Sequence, residues 1–304
     1  MPEMQEMRAT AFRALAESGP VRKVALTQAA WGLTQQADAG CQPLAGAAPG
    51  PAIGSTTGPA TDPATAATRA SLPLETPGRP DQPALIHPAA VPRRRLGSPA
   101  GRAAMIHAIT HIEFNAINLA LDAVCRFGGM PEDYYRDWIT VAKEEAHHFT
   151  LLSHHLRDQY QHRYGDFPAH NGLWDMADKT RDDVLVRMAL VPRILEARGL
   201  DVTPGMRLRL AHHGDHAAAA ILDIILRDEV GHVATGNRWY KRLCEQRGLE
   251  PAATFILLMG EYNAPNIHPP LNRAARLAGG FTEAELDGFE RAFDLAQKPR
   301  PAPG

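Results

Sequence analysis

Two copies of the motif Glu-x-x-His constrain the fold of this 304-residue chain more than any other feature. One copy covers residues 145–148 (Glu-Ala-His-His) and the other covers residues 229–232 (Glu-Val-Gly-His). Residues three apart on an α-helix lie on one face, with Cβ atoms about 5–6 Å apart. If both segments are helical, each motif can therefore present a carboxylate and an imidazole to one metal ion or to one pair of ions.

The first motif can be aligned in two registers, because Glu144 and His147 also stand three residues apart. Aligned without gaps on the second motif, the first one matches at Glu145 and His148. The flanking apolar positions agree in the same alignment. The internal comparison therefore favours Glu145 and His148 as the inward pair.

A single carboxylate precedes each motif at a similar distance. Glu113 lies 32 residues before Glu145, and Glu196 lies 33 residues before Glu229. The helical neighbours of Glu113 are apolar, and a carboxylate buried among them is costly unless positive charge compensates it. The two halves of the chain thus repeat with an offset of 83 to 84 residues, and each half supplies three candidate ligands.

These segments predict a two-metal site on four helices of a bundle. Carboxylate and imidazole ligands suit iron and manganese, and no thiolate stands among them. A pair of iron ions is the preferred cofactor, with manganese or a mixed manganese–iron pair as the alternative. The predicted metal ligands are Glu113, Glu145, His148, Glu196, Glu229 and His232.

Helical periodicity extends through most of the chain and predicts an all-α fold. We expect an N-terminal helical pair at residues 1–40, a four-helix bundle at 101–250 and a C-terminal helical extension at 251–304. Pro192 lies inside a predicted helix, so a local distortion is expected there. The predicted helices cover residues 3–18, 20–38, 101–127, 132–163, 181–199, 204–213, 215–247, 252–262 and 282–297.

Residues 41–100 differ from the rest in composition. Twelve of these sixty residues are proline, and most of the others are Ala, Gly, Thr and Ser. Such a segment buries too little apolar surface to offset the entropy lost on ordering. The sequence therefore predicts a largely disordered or extended linker between the helical pair and the bundle.

Charge and cysteine usage narrow the classes of function. The formal net charge is −2, and no basic patch of the kind that binds nucleic acid is evident. The three cysteines form no CxxC pair, which fits a reducing cytoplasm. No run of about 18 apolar residues predicts a membrane span. A homodimer is compatible with the sequence.

The chain resembles the ferritin-like superfamily and, more narrowly, the bacterial ferritin-like family named domain of unknown function 455. The resemblance rests on the residues around each Glu-x-x-His motif and on the Tyr-Gly-Asp-Phe-Pro-Ala-His stretch at 164–170. Residues 22–27 also resemble the N-terminal helical region of that family. The resemblance implies a di-iron or di-manganese centre and leaves the reaction open.

Three functions remain as alternatives at this point. The first is an oxidoreductase that uses O₂ on a small-molecule substrate, with electrons from an unidentified redox partner. The second is a tRNA-modifying hydroxylase, which the net charge disfavours. The third is a non-enzymatic protein that binds or stores iron, for which the linker and extensions would make packing into a cage awkward.

Overall fold

The computed structural model describes residues 2–40, 74–92 and 94–297. Within these ranges the chain is all-α, and the only β-type pairing is an isolated bridge between Leu85 and Ala169. None of the described helices is long and apolar enough to cross a membrane. The helices are α1 (Pro2–Ala16), α2 (Pro20–Gly40), α3 (Pro99–Arg126), α4 (Glu132–Tyr160), α5 (Gly172–Lys179), α6 (Val184–Leu190), α7 (Ala197–His212), α8 (His216–Gln246), α9 (Pro251–Glu261), α10 (Arg273–Ala278) and α11 (Glu283–Gln297), with a 3₁₀ turn at Pro88–Ala90 and a π-helical segment at Val191–Glu196.

A four-helix bundle forms the centre of the molecule. Helix α3 packs along α4, α7 packs along α8, and α4 contacts α8, which joins the two pairs. Each pair corresponds to one half of the sequence repeat. Helices α1 and α2 pack on each other, and α1 also contacts α3 while α2 contacts α4. The predicted bundle with an N-terminal helical pair is confirmed.

Local sequence signals set the starts of two bundle helices. The Ser98 side chain accepts a hydrogen bond from the Gly101 N–H, and Pro99 occupies the first turn of α3. The Asp215 side chain likewise accepts from the Ala218 N–H at the start of α8. Such caps satisfy backbone donors that the first helical turn leaves unpaired.

The distortion expected at Pro192 is present as the π-helical segment Val191–Glu196, between α6 and α7. Proline has no N–H to donate within the helix, and π-helical turns are one way in which helices absorb such a defect. Pro192 packs directly on Gly236 of α8, where a Cβ would lie only 2.3 Å from the proline Cβ. The absence of a side chain at Gly236 thus lets α8 approach the segment that ends at Glu196.

Some predicted helix boundaries are wrong. We expected separate helices at 181–199 and 204–213, but α7 continues through Pro204. Proline at this position removes the hydrogen bond to the Leu200 carbonyl. The side chain of Asn272 donates to that carbonyl at 3.1 Å instead. The side chain that caps α10 therefore supplies the donor that proline lacks. Helices α5 and α10 were also not predicted.

The first part of the predicted linker, residues 41–73, lies outside the described residues. Residues 74–92 and 94–98 contain little helix, and they contact α1, α3 and the segment that follows α4. The Gly78 N–H donates to the Leu15 carbonyl, and the Ile86 N–H donates to the Ala169 carbonyl. Arg126 of α3 donates to the Leu74 carbonyl at 2.8 Å. The division of the chain at residues 40, 100 and 250 stays a prediction.

The close packing of Gly236 on Pro192 predicts opposite effects for two glycine substitutions in α8. Gly236→Ala should lower the free energy of unfolding by about 1–3 kcal/mol, because the new methyl group overlaps the proline ring. Gly231→Ala is the matched control, since no atom lies within 4 Å of its added Cβ. It should raise stability by up to about 1 kcal/mol through helix propensity. Equal effects in chemical denaturation would contradict this packing.

Candidate metal centre

Three bundle helices bring five of the six predicted ligands together. Glu113 comes from α3, Glu145 and His148 from α4, and Glu229 and His232 from α8. All five side chains are buried, with at most 8% of each residue exposed. Burying so many ionisable groups is costly unless they are paired or bind metal. The cluster thus needs a physical compensation that apolar packing cannot supply.

The five side chains form two trios that share Glu145. One trio contains Glu113, Glu145 and His148, and the other contains Glu145, Glu229 and His232. Within each trio, one ligand atom from each residue lies within 4.8 Å of the others. Oε2 of Glu145 lies 3.4 Å from Nδ1 of His148, whereas Oε1 lies 3.0 Å from Nδ1 of His232. Glu145 therefore presents one oxygen to each half of the site.

The remaining carboxylates complete the two halves. Oε2 of Glu113 lies 3.3 Å from Nδ1 of His148, and Oε2 of Glu229 lies 3.7 Å from Nδ1 of His232. Nδ1 of His148 is approached by Glu113 of α3 and by the motif glutamate Glu145, whereas Nδ1 of His232 is approached by the two motif glutamates Glu145 and Glu229. The second half therefore departs from the sequence repeat, because Glu145 of α4 stands where the repeat would place Glu196.

Several of these atoms have no hydrogen-bond partner among the described residues. They are Oε2 of Glu113, Oε1 of Glu145, Oε2 of Glu229 and Nδ1 of His232. Oε1 of Glu145 and Nδ1 of His232 are only 3.0 Å apart, yet their orientation does not satisfy a hydrogen bond. Buried polar atoms are rarely left unpaired. Their lone pairs converge on shared space, as ligands of a cation would.

Glu196, the sixth predicted ligand, lies outside both trios. It is buried at the end of the π-helical segment, and its Oε2 also lacks a hydrogen-bond partner among the described residues. Burial and the negative charge of Glu229 raise its pKa to about 8. The charges of Glu196 and Glu229 therefore interact, although Glu196 belongs to neither trio.

The carboxylates other than Glu145 favour protonation. Burial and the charge of Glu145 raise the pKa of both Glu113 and Glu229 above the usual range. Burial acts on Glu145 in the same sense, but the charge of His232 and the hydrogen bond from His148 outweigh it and lower its pKa. The shared carboxylate is therefore the most strongly anionic member of the cluster.

The two histidines hold positive charge in the absence of metal. Burial alone would lower the pKa of His148, but the close approach of the Glu113 and Glu145 carboxylates to Nδ1 outweighs it and raises the pKa to about 11. Burial likewise opposes the charge on His232, and the charge of Glu145 outweighs it and raises its pKa well above the usual range. The surrounding carboxylates thus favour positive charge at this place, which suits the binding of divalent cations.

Two further carboxylates orient the imidazoles from outside the cluster. Asp228 of α8 accepts a hydrogen bond from Nε2 of His148 at 3.1 Å. Glu144 of α4 accepts one from Nε2 of His232 at 2.9 Å. Each half of the repeat thus holds the histidine of the other half. A carboxylate on the far nitrogen fixes the tautomer and orientation of a metal-binding imidazole.

Sequence reasoning did not assign this role to Glu144 or Asp228. Glu144 entered only as a candidate ligand of the rival register, yet it is partly exposed and contacts the outer face of His232. His147, its partner in that register, is exposed. Glu144 and Asp228 occupy equivalent positions just before the two motif glutamates. Comparison of the two halves of the repeat could therefore have identified both residues.

A cavity of about 330 Å³ reaches the carboxylate side of the cluster. Glu113, Glu196 and Glu229 line it, whereas Glu145 and both histidines do not. His170 and Leu173, from the segment that follows α4, also contribute to the lining. The cluster is therefore enclosed on its histidine side and accessible from the side of the three glutamates.

Comparison with known proteins places the chain in a family. Residues 16–287 match the family model described as "Protein of unknown function (DUF455)". A relative from Haemophilus influenzae, described as "Uncharacterized protein", is 48% identical over 215 residues, which are 68% of this chain and 74% of the relative. No solved structure matches the chain. The chain belongs to the DUF455 family.

We expect that neutralising either outer carboxylate lowers the affinity for metal and leaves the fold intact. Asp228→Asn and Glu144→Gln should each weaken divalent metal binding by about 10- to 100-fold, because a neutral amide no longer supports the imidazole as a ligand. Asp223→Asn, on the same helix as Asp228, is the matched control, since Asp223 pairs only with Arg207 at the surface. Chelator competition would measure the affinities. An effect of the control as large as that of Asp228→Asn would contradict the assigned role.

Proposed function

We propose that this member of the DUF455 family is a ferritin-like two-metal carboxylate protein that uses O₂ to oxidise a small molecule. Two iron ions are the preferred cofactor, with manganese or a mixed manganese–iron pair as the alternative. The ferritin-like assignment rests on four bundle helices that carry two Glu-x-x-His motifs, each with a separate glutamate that precedes it. Bundles of this type bind metal pairs between facing helices.

The division of Glu145 between two half-sites carries the proposal. Its two oxygens face different imidazole nitrogens, at 3.4 Å and 3.0 Å. A carboxylate in this position can bridge two cations, whereas a single ion would leave one oxygen and one histidine without a role. Two divalent cations would also offset the negative charge of the buried glutamates, which protons offset in their absence.

The donor set fits iron or manganese. All the ligand atoms are carboxylate oxygens and imidazole nitrogens, which suit these metals, and neither trio includes a cysteine. Glu113 and Glu229 would each complete one half-site, and Glu196 would complete the set from the cavity side. A ferrous pair held here would supply electrons for the reduction of O₂, and the side chains would fix the ligand geometry and limit access of water.

The cavity favours an enzyme that acts on a small molecule. Its volume of about 330 Å³ lies within the range of ligand pockets. It opens on the three glutamates rather than on the histidines, so a substrate would approach the metals from the carboxylate side. A protein that only stored iron would have no need of an apolar cavity beside the centre.

Anaerobic loading with Fe(II), followed by exposure to O₂, tests this function. We expect two iron ions per chain and O₂ consumption faster than that of the same concentration of free iron. The measurements are the iron content after desalting and the rate of O₂ uptake at an oxygen electrode. Iron content of one or fewer per chain, or O₂ uptake no faster than that of free iron, would contradict the proposal.

A substitution at the shared carboxylate sharpens the test. Glu145→Gln should reduce the iron content from two to one or fewer per chain, because an amide is a poor bridge between two cations. Asp133→Asn, in the first turn of the same helix and exposed, is the matched control and should retain two. An unchanged iron content in Glu145→Gln would exclude a bridging role for this residue.

A further inference from the structure

A buried guanidinium group lines the same cavity as the three glutamates. Arg276 of α10 is 1% exposed. Its Nε and Nη2 atoms donate to the two carboxylate oxygens of Asp201, at 3.0 Å and 2.8 Å. Its Nη1 atom is buried and has no hydrogen-bond partner among the described residues. A buried donor left unpaired is costly, so this atom is suited to receive an acceptor from a ligand.

The charges around Arg276 favour an anionic acceptor. Arg198 of α7 also lines the cavity, and its Nη1 lies 4.0 Å from Asp201 and 3.0 Å from the His268 carbonyl oxygen. Two guanidinium groups therefore share one carboxylate, which leaves one positive charge in excess at this end of the cavity. A carboxylate ligand would balance that charge and accept strong hydrogen bonds from arginine.

Asp201 of α7, which both arginines approach, lies further along the chain than Glu196. Asp201 follows Glu196 by five residues, a rise of about 7.5 Å along a helix. Much of the remaining lining is apolar, so a ligand that spans this distance needs an apolar body. Residues of this apolar lining are Ala116, Leu119, Val202, Leu222, Ile225 and Ile267.

We propose that the cavity binds a monocarboxylate with an apolar body, held by Arg276 and Arg198 through its carboxylate. Its apolar end then lies beside Glu113, Glu196 and Glu229. The cavity of about 330 Å³ lies at the small end of the volumes of ligand pockets. A fatty acid of about eight carbons suits a pocket of this class. The role of this ligand as substrate rests on the proposed function, whereas its binding does not.

Calorimetric titration of the iron-loaded chain, kept anaerobic, tests the proposal with octanoate as the probe. We compare it with 1-octanol, which lacks the charge, and with acetate, which lacks the apolar body. Octanoate should bind at least about tenfold more tightly than either, the effect expected of one charge-assisted hydrogen bond or of several buried methylene groups. Absence of octanoate binding, or equal binding of octanoate and octanol, would overturn the proposal.

Variants locate the binding within the cavity. Arg198→Gln should weaken octanoate binding about tenfold and leave octanol binding unchanged, since Arg198 is about half exposed and its loss should not disturb the fold. Arg209→Gln, on the same helix but outside this cavity, is the matched control and should bind octanoate like the unmodified chain. An equal effect of the two substitutions on octanoate would overturn the carboxylate assignment.

A cavity-filling variant provides the second test. Val202→Phe should abolish octanoate binding, because the larger side chain occupies the apolar part of the cavity. The iron content of every variant is also measured, so that loss of the metal centre can be distinguished from loss of octanoate binding. Normal iron content without octanoate binding to the unmodified chain overturns the ligand and leaves the metal centre intact. Octanoate binding that persists in Val202→Phe overturns the location.

Discussion

The burial of four glutamates at the centre of one helical bundle is the constraint on which the rest of the structure depends. Carboxylates cannot remain charged and unpaired in such a place. The chain offsets their charge with two histidines, and it raises the pKa of Glu113, Glu196 and Glu229 through burial and mutual repulsion. An apolar core of the same volume would avoid this cost, so metal binding explains the cluster better than packing does.

The repeat explains how the cluster is held in place. Each half contributes a Glu-x-x-His motif, and the residue before each motif glutamate supports the histidine of the opposite half. The links between Asp228 and His148, and between Glu144 and His232, therefore cross from α4 to α8. These helices cannot shift along each other without breaking both hydrogen bonds. The same contacts that orient the imidazoles thus fix the register of the bundle.

The sequence could predict the all-α fold. It could also predict that Glu145 shares a helix face with His148, and Glu229 with His232, because a three-residue spacing on a helix determines which side chains share a face. It also indicated the distortion at Pro192. It could not predict that α7 continues through Pro204, since the compensating hydrogen bond comes from Asn272, some 70 residues away. The sequence could likewise not predict the cavity or the unpaired Nη1 of Arg276, because both depend on how α10 and the segment before it pack on α7 and α8.

Anomalous X-ray diffraction from crystals of the iron-loaded chain, recorded at the iron absorption edge, would locate the metal ions. We expect two peaks about 3.5–4 Å apart, the spacing of two-metal sites. One peak should lie beside Glu113 and His148, the other beside Glu229 and His232, with Glu145 between them. A single peak, or two peaks that do not share Glu145, would contradict the proposed two-metal centre.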